Sequence, residues 1–149
     1  AESSVFNVLK PLLGIMGEEI THCGAVGSGQ LVKIMNNMVL FQTVSALAEA
    51  LKIGCGVGID PAVMFSALSK GSADSFALRN HGMKAMLLDS FPQDAFSTAY
   101  AVKDLGYALE LARDIGLDAL GAQLVQDRFR QAIDAGFQDS YFPVVSRVI

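Results

Sequence analysis

Apolar residues recur at helical spacing along almost the whole chain, and glycine or proline separates the recurring blocks. The longest block follows a glycine-rich turn at residues 24–29. It is predicted to run as one helix from about Ser28, a good N-cap residue, to about Lys52, with Gly54 and Gly56 ending it. Apolar side chains cover most of its circumference, so we expect this helix to be buried on nearly all sides.

The blocks on either side of the long helix are shorter. Phe6 to Met16 has helical spacing, and Glu18 to His22 is predicted to be a short strand. Asp60-Pro61 is typical of a helix start, as N-cap and N1. The other predicted helices are 62–69, one capped by Ser72 or Asp74 that ends near Leu88, 96–115, 118–135, and a short one from Asp139 or Ser140. The prediction is an all-α bundle of about six helices around one long central helix, preceded by a short α/β stub.

The helix at 96–115 has a clear apolar stripe and a clear end. The predicted buried positions are Tyr100 or Ala101, then Leu105, Ala108, Leu109 and Ala112. Gly116 follows at the position of a C-terminal stop.

Composition narrows the class of protein. The 149 residues are 52% apolar and 17% charged, which is typical of one globular domain. The net charge is −4 and there is no Lys/Arg-rich run, so we do not expect a nucleic-acid partner. No apolar run reaches about 18 residues without a polar interruption, and we expect no membrane span.

The residue types that bind metals are isolated. Cys23 and Cys55 form no metal-ligand spacing, and His22 and His81 are each more typical of a surface or capping position than of a ligand. The N-terminus lacks the layout of a signal peptide. We therefore expect free thiols, a cytoplasmic setting and no metal.

Lys33 and Asn37 form the first chemical clue. Their i, i+4 spacing places them one turn apart on a face that also carries Gln30. A lysine enclosed by an apolar helix generally has a partner or a task. The alternative is that Lys33 reaches along the apolar surface to water and that Asn37 bonds to backbone.

The full pattern Gly24-x-x-Gly27-x-Gly29-x-x-x-Lys33-x-x-Asn36-Asn37 resembles the interdomain-helix signature of the β-hydroxyacid dehydrogenases. That family includes 3-hydroxyisobutyrate, tartronate semialdehyde and threonate-type dehydrogenases. The related 6-phosphogluconate dehydrogenases carry His where this chain has Asn36. A second anchor, Phe96 with Lys103-Asp104-Leu105, lies at the expected distance, so the resemblance covers nearly the whole chain.

The resemblance implies a domain organisation. Residues 24–149 correspond to a helical substrate and dimerisation domain like the C-terminal domain of 6-phosphogluconate dehydrogenase. Residues 1–23 correspond to the last helix and strand of an N-terminal Rossmann domain whose remainder we expect outside this sequence. The glycines at 24, 27 and 29 have the wrong spacing for the Gly-x-Gly-x-x-Gly phosphate loop and are better explained by an interdomain hinge.

The implied reaction is hydride transfer between NAD or NADP, bound mainly by the N-terminal domain, and a small 3-hydroxy acid. Lys33 is the implied general acid/base. Its pKa would have to fall from about 10.4 to about 7–8, and burial would move the pKa in that direction. Asn37 would position the substrate, and Asn36 suits a structural hydrogen bond.

Weaker candidates complete the implied site. The backbone at Gly29 and the turn at Gly71 and Ser72 are candidate substrate contacts, and helix capping is the alternative for that turn. Lys103 is a candidate contact near the nicotinamide and Phe96 an apolar wall of the same pocket. The alternatives are a solvated surface charge for Lys103 and a core position for Phe96.

The assembly and the function of these 149 residues on their own are two further expectations. The resemblance implies a homo-oligomer, a dimer or tetramer. The competing hypothesis is a helical oligomerisation module without catalysis of its own when it is separated from its cofactor domain.

Overall fold

The computed structural model describes all 149 residues and contains seven helices and no strand. The all-α prediction is therefore confirmed. The chain divides into two compact units, residues 1–36 and 37–149. The helices are α1 (Ser3–Leu13), α2 (Ser28–Gly56), α3 (Pro61–Leu68), a π-helix (Leu78–Met86), α4 (Thr98–Asp114), α5 (Leu120–Asp134) and a 3₁₀-helix (Phe142–Arg147).

The N-terminal unit has little buried surface of its own. None of the residues of α1 is buried, and the helix ends two residues after Pro11. The predicted strand at residues 18–22 is wrong: the segment has a bend at Glu18 and no regular secondary structure after it, since no second strand pairs with it. It is held instead by the N-terminal ammonium, which donates to the Gly24 carbonyl at 3.0 Å, and by the His22 ring, which bonds the Ala1 carbonyl at 2.8 Å.

The glycine turn ahead of α2 depends on its glycines. Gly24 and Gly27 have φ of 114° and 95°, in the left-handed region that side chains disfavour. The turn that the sequence predicts at this point is therefore present.

Helix α2 begins at Ser28 as predicted but continues to Gly56. Gly54 does not stop the helix: a Cβ there would lie 2.5 Å from the Met64 sulfur, so this glycine admits α3. The prediction of burial on nearly all sides is wrong for the first half of α2, because Leu31 and Val32 are about half exposed and Lys33 is exposed. An apolar pattern predicts only that side chains are suited to burial, and burial also needs neighbours.

The second half of α2 forms the centre of the core. Phe41, Val44, Leu47 and Ala48 are buried there. By length and composition α2 could also cross a membrane, although core helices of water-soluble proteins meet the same test, and 33% of its most apolar window is buried. The expectation of no membrane span therefore stays a prediction.

Helix α3 begins as predicted, with the Asp60 carboxylate accepting the Val63 N–H at 2.9 Å. The next helical segment is capped by Ser75, whose hydroxyl accepts the Leu78 N–H at 3.0 Å, and not by Ser72 or Asp74. Asp74 instead pairs with Arg79 at 2.7 Å. The segment then winds as a π-helix, in which a Cβ at Gly82 would lie 2.9 Å from the Phe65 ring.

Helices α4 and α5 pack against each other. Ser97 caps α4, so the helix begins two residues after the predicted Phe96. Its buried stripe contains Ala101 rather than Tyr100, and it also contains Asp104. The final helix begins at Phe142, later than predicted, because Ser97 and Tyr141 first form an antiparallel bridge.

Candidate functional site

A buried carboxylate joins α2 to α4. Asp104 is 4% exposed, and its Oδ2 accepts a hydrogen bond of 2.6 Å from Nδ2 of Asn37. A carboxylate in a helical core must be matched by donors, since an uncompensated buried charge is costly. The bond also fixes the orientation of the Asn37 amide, whose nitrogen faces Asp104.

Asn37 lies at the edge of a cavity of about 190 Å³. Five of its eight lining residues are Phe or Tyr, and none is Lys, Arg, Asp or Glu. The lining residues are Asn37, Leu40, Phe41, Phe76, His81, Phe96, Tyr141 and Phe142. The cavity is thus lined mainly by aromatic rings, and its polar groups are the Asn37 amide, the His81 imidazole and the Tyr141 phenol.

The imidazole–phenol pair is formed by His81 of the π-helix and Tyr141, which precedes the 3₁₀-helix. Nδ1 of His81 lies 2.5 Å from the Tyr141 hydroxyl. Burial lowers the pKa of His81 and raises the pKa of Tyr141, so both groups are neutral at neutral pH. The phenol is the better donor, which assigns its proton to the bond with Nδ1 and the ring proton to Nε2. That Nε2 is buried without a hydrogen-bond partner.

Two of the predicted site residues meet at this cavity. Asn37 and Phe96 both line it, and Phe96 is 38% exposed, with its ring 5.9 Å from that of Tyr100. Lys103 lies on the exposed side of α4, with Nζ 4.3 Å from the centre of the Tyr100 ring. Lys103 itself does not line the cavity.

The other predicted site residues lie outside the cavity wall. Gly71 and Ser72 occupy an exposed turn after α3. Gly29 and Lys33 lie in the first turns of α2, where a Cβ added to Gly29 would contact nothing within 4 Å. Lys33 precedes Asn37 by one helical turn and is exposed, so the predicted burial of Lys33 is wrong for this chain.

Sequence reasoning did not select three residues that shape the site. Asp104 could have been found, since it lies three residues after Ala101 and one before Leu105, inside the apolar stripe of α4. His81, expected at a surface or cap, is 8% exposed and lies on the buried side of the π-helix. Tyr141 lies within the short helix predicted from Asp139 or Ser140, and nothing in that prediction pairs it with His81.

Comparison with known proteins gives consistent results. A family model described as "NAD-binding of NADP-dependent 3-hydroxyisobutyrate dehydrogenase" matches residues 27–149. The chain is 31% identical to mitochondrial 3-hydroxyisobutyrate dehydrogenase of Homo sapiens over 145 residues, covering 94% of this chain and 43% of that protein. It is 35% identical to 2-(hydroxymethyl)glutarate dehydrogenase of Eubacterium barkeri over 114 residues, covering 76% and 38% respectively.

Solved structures agree with these relatives. The fold matches a 3-hydroxyisobutyrate dehydrogenase from Mycobacterium tuberculosis, solved with L-serine, at a TM-score of 0.87 and 28% identity, covering 99% of this chain and 52% of that one. The chain therefore spans about half the length of such proteins. Because the family model matches residues 27–149, the chain belongs to the family described as NAD-binding of NADP-dependent 3-hydroxyisobutyrate dehydrogenase. The motif of glycine, lysine and asparagine residues predicts this family, and the prediction is confirmed.

Proposed function

We propose that this chain is the helical domain of an NAD(P)-dependent dehydrogenase that transfers hydride between a nicotinamide cofactor and a small 3-hydroxy acid. The observation that carries the proposal is the bond from Asn37 to Asp104, which holds an oriented amide at the edge of the cavity. Lys33 lies one turn before that amide on the same helix. Two relatives are named 3-hydroxyisobutyrate dehydrogenase and 2-(hydroxymethyl)glutarate dehydrogenase.

Lys33 would handle the hydroxyl proton of the substrate. As the alcohol is oxidised, Nζ would take the hydroxyl proton, and in the reverse direction Nζ would return that proton to the carbonyl oxygen. The nicotinamide, when bound, exchanges the hydride with the carbinol carbon. A lysine suits this role because its amine can lose a proton, whereas a guanidinium cannot at working pH.

Asn37 would orient the substrate. An amide offers both donors and an acceptor without adding charge beside Lys33. Asp104 holds the amide in one orientation, so its hydrogen bonds are aimed before the substrate arrives, and such preorganisation reduces the entropy lost on binding.

The surface beside the cavity fits a nicotinamide cofactor. Phe96 and Tyr100 expose adjacent rings, and the Lys103 ammonium lies against the second of them. Aromatic faces suit stacking of a planar ring, and the cation suits the charge of a dinucleotide. We assign Phe96 and Lys103 to this contact, with Gly29, Gly71 and Ser72 as substrate contacts from backbone and hydroxyl groups.

The test is Lys33→Ala in the full-length enzyme. We expect kcat to fall by about 10²–10⁴-fold while cofactor affinity stays within a few-fold. Lys33→Arg should be nearly as inactive, and Lys52→Ala, an exposed lysine at the other end of α2, is the matched control. Activity retained in Lys33→Ala would rule out the general-base assignment.

A second function is favoured by the exposed apolar residues of α1, among which Val8 is 78% exposed. A contiguous apolar surface of this kind commonly marks an interface. The chain alone would then act as an oligomerisation module, forming a dimer or tetramer. Titration of the 149-residue chain with NADH tests whether this chain binds the cofactor by itself: we expect little binding, and tight binding would contradict an oligomerisation module without a cofactor role.

A further inference from the structure

We propose that the aromatic cavity beside Asn37 receives the C2 substituent of the substrate, and that this substituent is an alkyl or aryl group larger than methyl. The inference rests on the proposed function, since it takes Asn37 as the residue that orients the 3-hydroxy acid. It adds the chemical class of the group that distinguishes one 3-hydroxy acid from another.

The walls of the cavity select for apolar groups. Phe41 and Phe142 are buried and their rings meet edge to face, 5.1 Å apart, which makes the inner wall rigid. Leu40, Phe76 and Phe96 complete the apolar lining. A substituent that enters exchanges water for contact with these apolar walls.

The charges of the lining exclude a second carboxylate. No Lys or Arg lines the cavity, and its one basic group, His81, is neutral because burial lowers its pKa. The Asn37 amide is neutral, and one of its two N–H groups donates to Asp104. A carboxylate placed here would lose its hydration without gaining a cation, and that transfer is strongly unfavourable.

The size of the cavity indicates how large the substituent is. Its volume is about 190 Å³, and it opens to the surface beside Phe76, which is 70% exposed. A methyl group fills only a fraction of that space. A chain of three or four carbons, or a phenyl ring, fills most of it.

The first experiment measures kcat/KM of the full-length enzyme on 2-alkyl-3-hydroxypropanoates. The series runs from methyl through ethyl, propyl and butyl to benzyl, with 2-(hydroxymethyl)glutarate as the carboxylate-bearing member. We expect about a fourfold rise per methylene up to butyl, as burial of one CH₂ predicts, and at least a tenfold deficit for the glutarate relative to the propyl compound. A flat or falling series, or a glutarate that equals the propyl compound, overturns the inference.

The outcomes also separate this inference from the function on which it rests. Turnover of the methyl compound with no gain from longer chains removes only the inference. Absence of NAD⁺- or NADP⁺-dependent turnover with every compound overturns both.

A variant that adds a cation gives an independent test. Phe76 is 70% exposed, so Phe76→Arg should fold, and it would place a guanidinium at the cavity. We expect the ratio of kcat/KM for the glutarate to that for the butyl compound to rise at least tenfold. Leu88→Arg, at a residue that is 68% exposed and outside the cavity lining, is the matched control and should leave the ratio unchanged. An unchanged ratio in Phe76→Arg, with folding confirmed by circular dichroism, contradicts the proposal.

Discussion

Residues 1–36 and residues 37–149 are almost equally rich in apolar side chains but use them differently. In the first unit only Ile34 is buried, whereas Val8, Leu12, Ile15, Met16 and Val26 are all more than half exposed. In the second unit aromatic and aliphatic residues from α2, α4, α5 and the 3₁₀-helix form one continuous core. Both units thus have the hydrophobic pattern, but only the second buries its apolar residues in a core of its own.

The second unit is expected to contribute most of the free energy of unfolding. A core that closes within the chain stabilises it directly, at about 25 cal/mol for each Å² of apolar surface removed from water. Exposed apolar residues add stability only when something else covers them. The substitutions below test this division.

The largest effect is expected in the core of the second unit. Phe129 is buried and its ring packs against those of Phe41 and Phe142. Phe129→Ala should lower the free energy of unfolding by about 3–5 kcal/mol, through lost burial and the cavity left behind. Urea denaturation followed by circular dichroism measures this, and a loss below about 1 kcal/mol would contradict the central position of this ring.

A smaller effect is expected at the His81–Tyr141 pair. Tyr141→Phe leaves the buried Nδ1 of His81 without its partner, which should cost about 1–3 kcal/mol. The double variant His81→Phe/Tyr141→Phe removes both polar groups, so it should be more stable than the sum of the single changes predicts. An additive double-mutant cycle would show that the two groups do not interact.

The same pair makes the free energy of unfolding depend on pH. We expect this change to be smaller than the loss caused by Tyr141→Phe. Burial lowers the pKa of His81 in the folded state, so the unfolded chain binds the proton more readily. Stability from neutral His81 is therefore present above about pH 6.5 and is lost as pH falls from there toward the folded pKa. The lowered pKa values of Asp74 and Asp89 act only below about pH 4, so unfolding at pH 7 and pH 5 isolates the histidine. The double variant should lack this slope.

The smallest effect on stability is expected in α1. Leu12 is 60% exposed, and Leu12→Ser should change the free energy of unfolding by no more than about 0.5 kcal/mol. The same change should weaken self-association, which we expect of this unit because its apolar residues lack cover. Sedimentation at tens of micromolar checks this, and a wild-type chain that is strictly monomeric and resists proteolysis at residues 1–23 would refute it.

Elements with strong local signals were predictable from sequence. Asp60-Pro61 and the residues that follow contain their own start signal, so α3 lies within one residue of its prediction. Ser28 likewise begins α2. These signals act over a single turn of chain, which is why they can be seen without knowing the fold.

Elements decided by tertiary contacts were not predictable. By sequence Gly54 is typical of a helix end, and its contact with Met64 of α3 is seen only in the fold. By sequence His81 is typical of a surface residue, and its burial is likewise seen only in the fold. For the site, the resemblance implied a substrate contact for Asn37 and a place beside the nicotinamide for Phe96. The cavity that both residues line also includes Tyr141 and Phe142, which are distant in sequence. The roles of Lys33, Asn37, Gly29, Gly71, Ser72, Phe96 and Lys103 stay predictions.

The π-helix also affects how this region tolerates changes in chain length. Its N–H groups bond to carbonyls five residues back, as Leu87 does to Gly82 at 3.0 Å. In an α-helix, losing one residue turns everything beyond it by about 100°. A π-helix holds a spare residue, so one deletion between Leu78 and Met86 can be absorbed by rewinding to α geometry, with both ends left in place. We therefore expect natural length variation among relatives to collect here, where His81 faces the cavity, and to be rare in α4, where the same loss would rotate Asp104 away from Asn37.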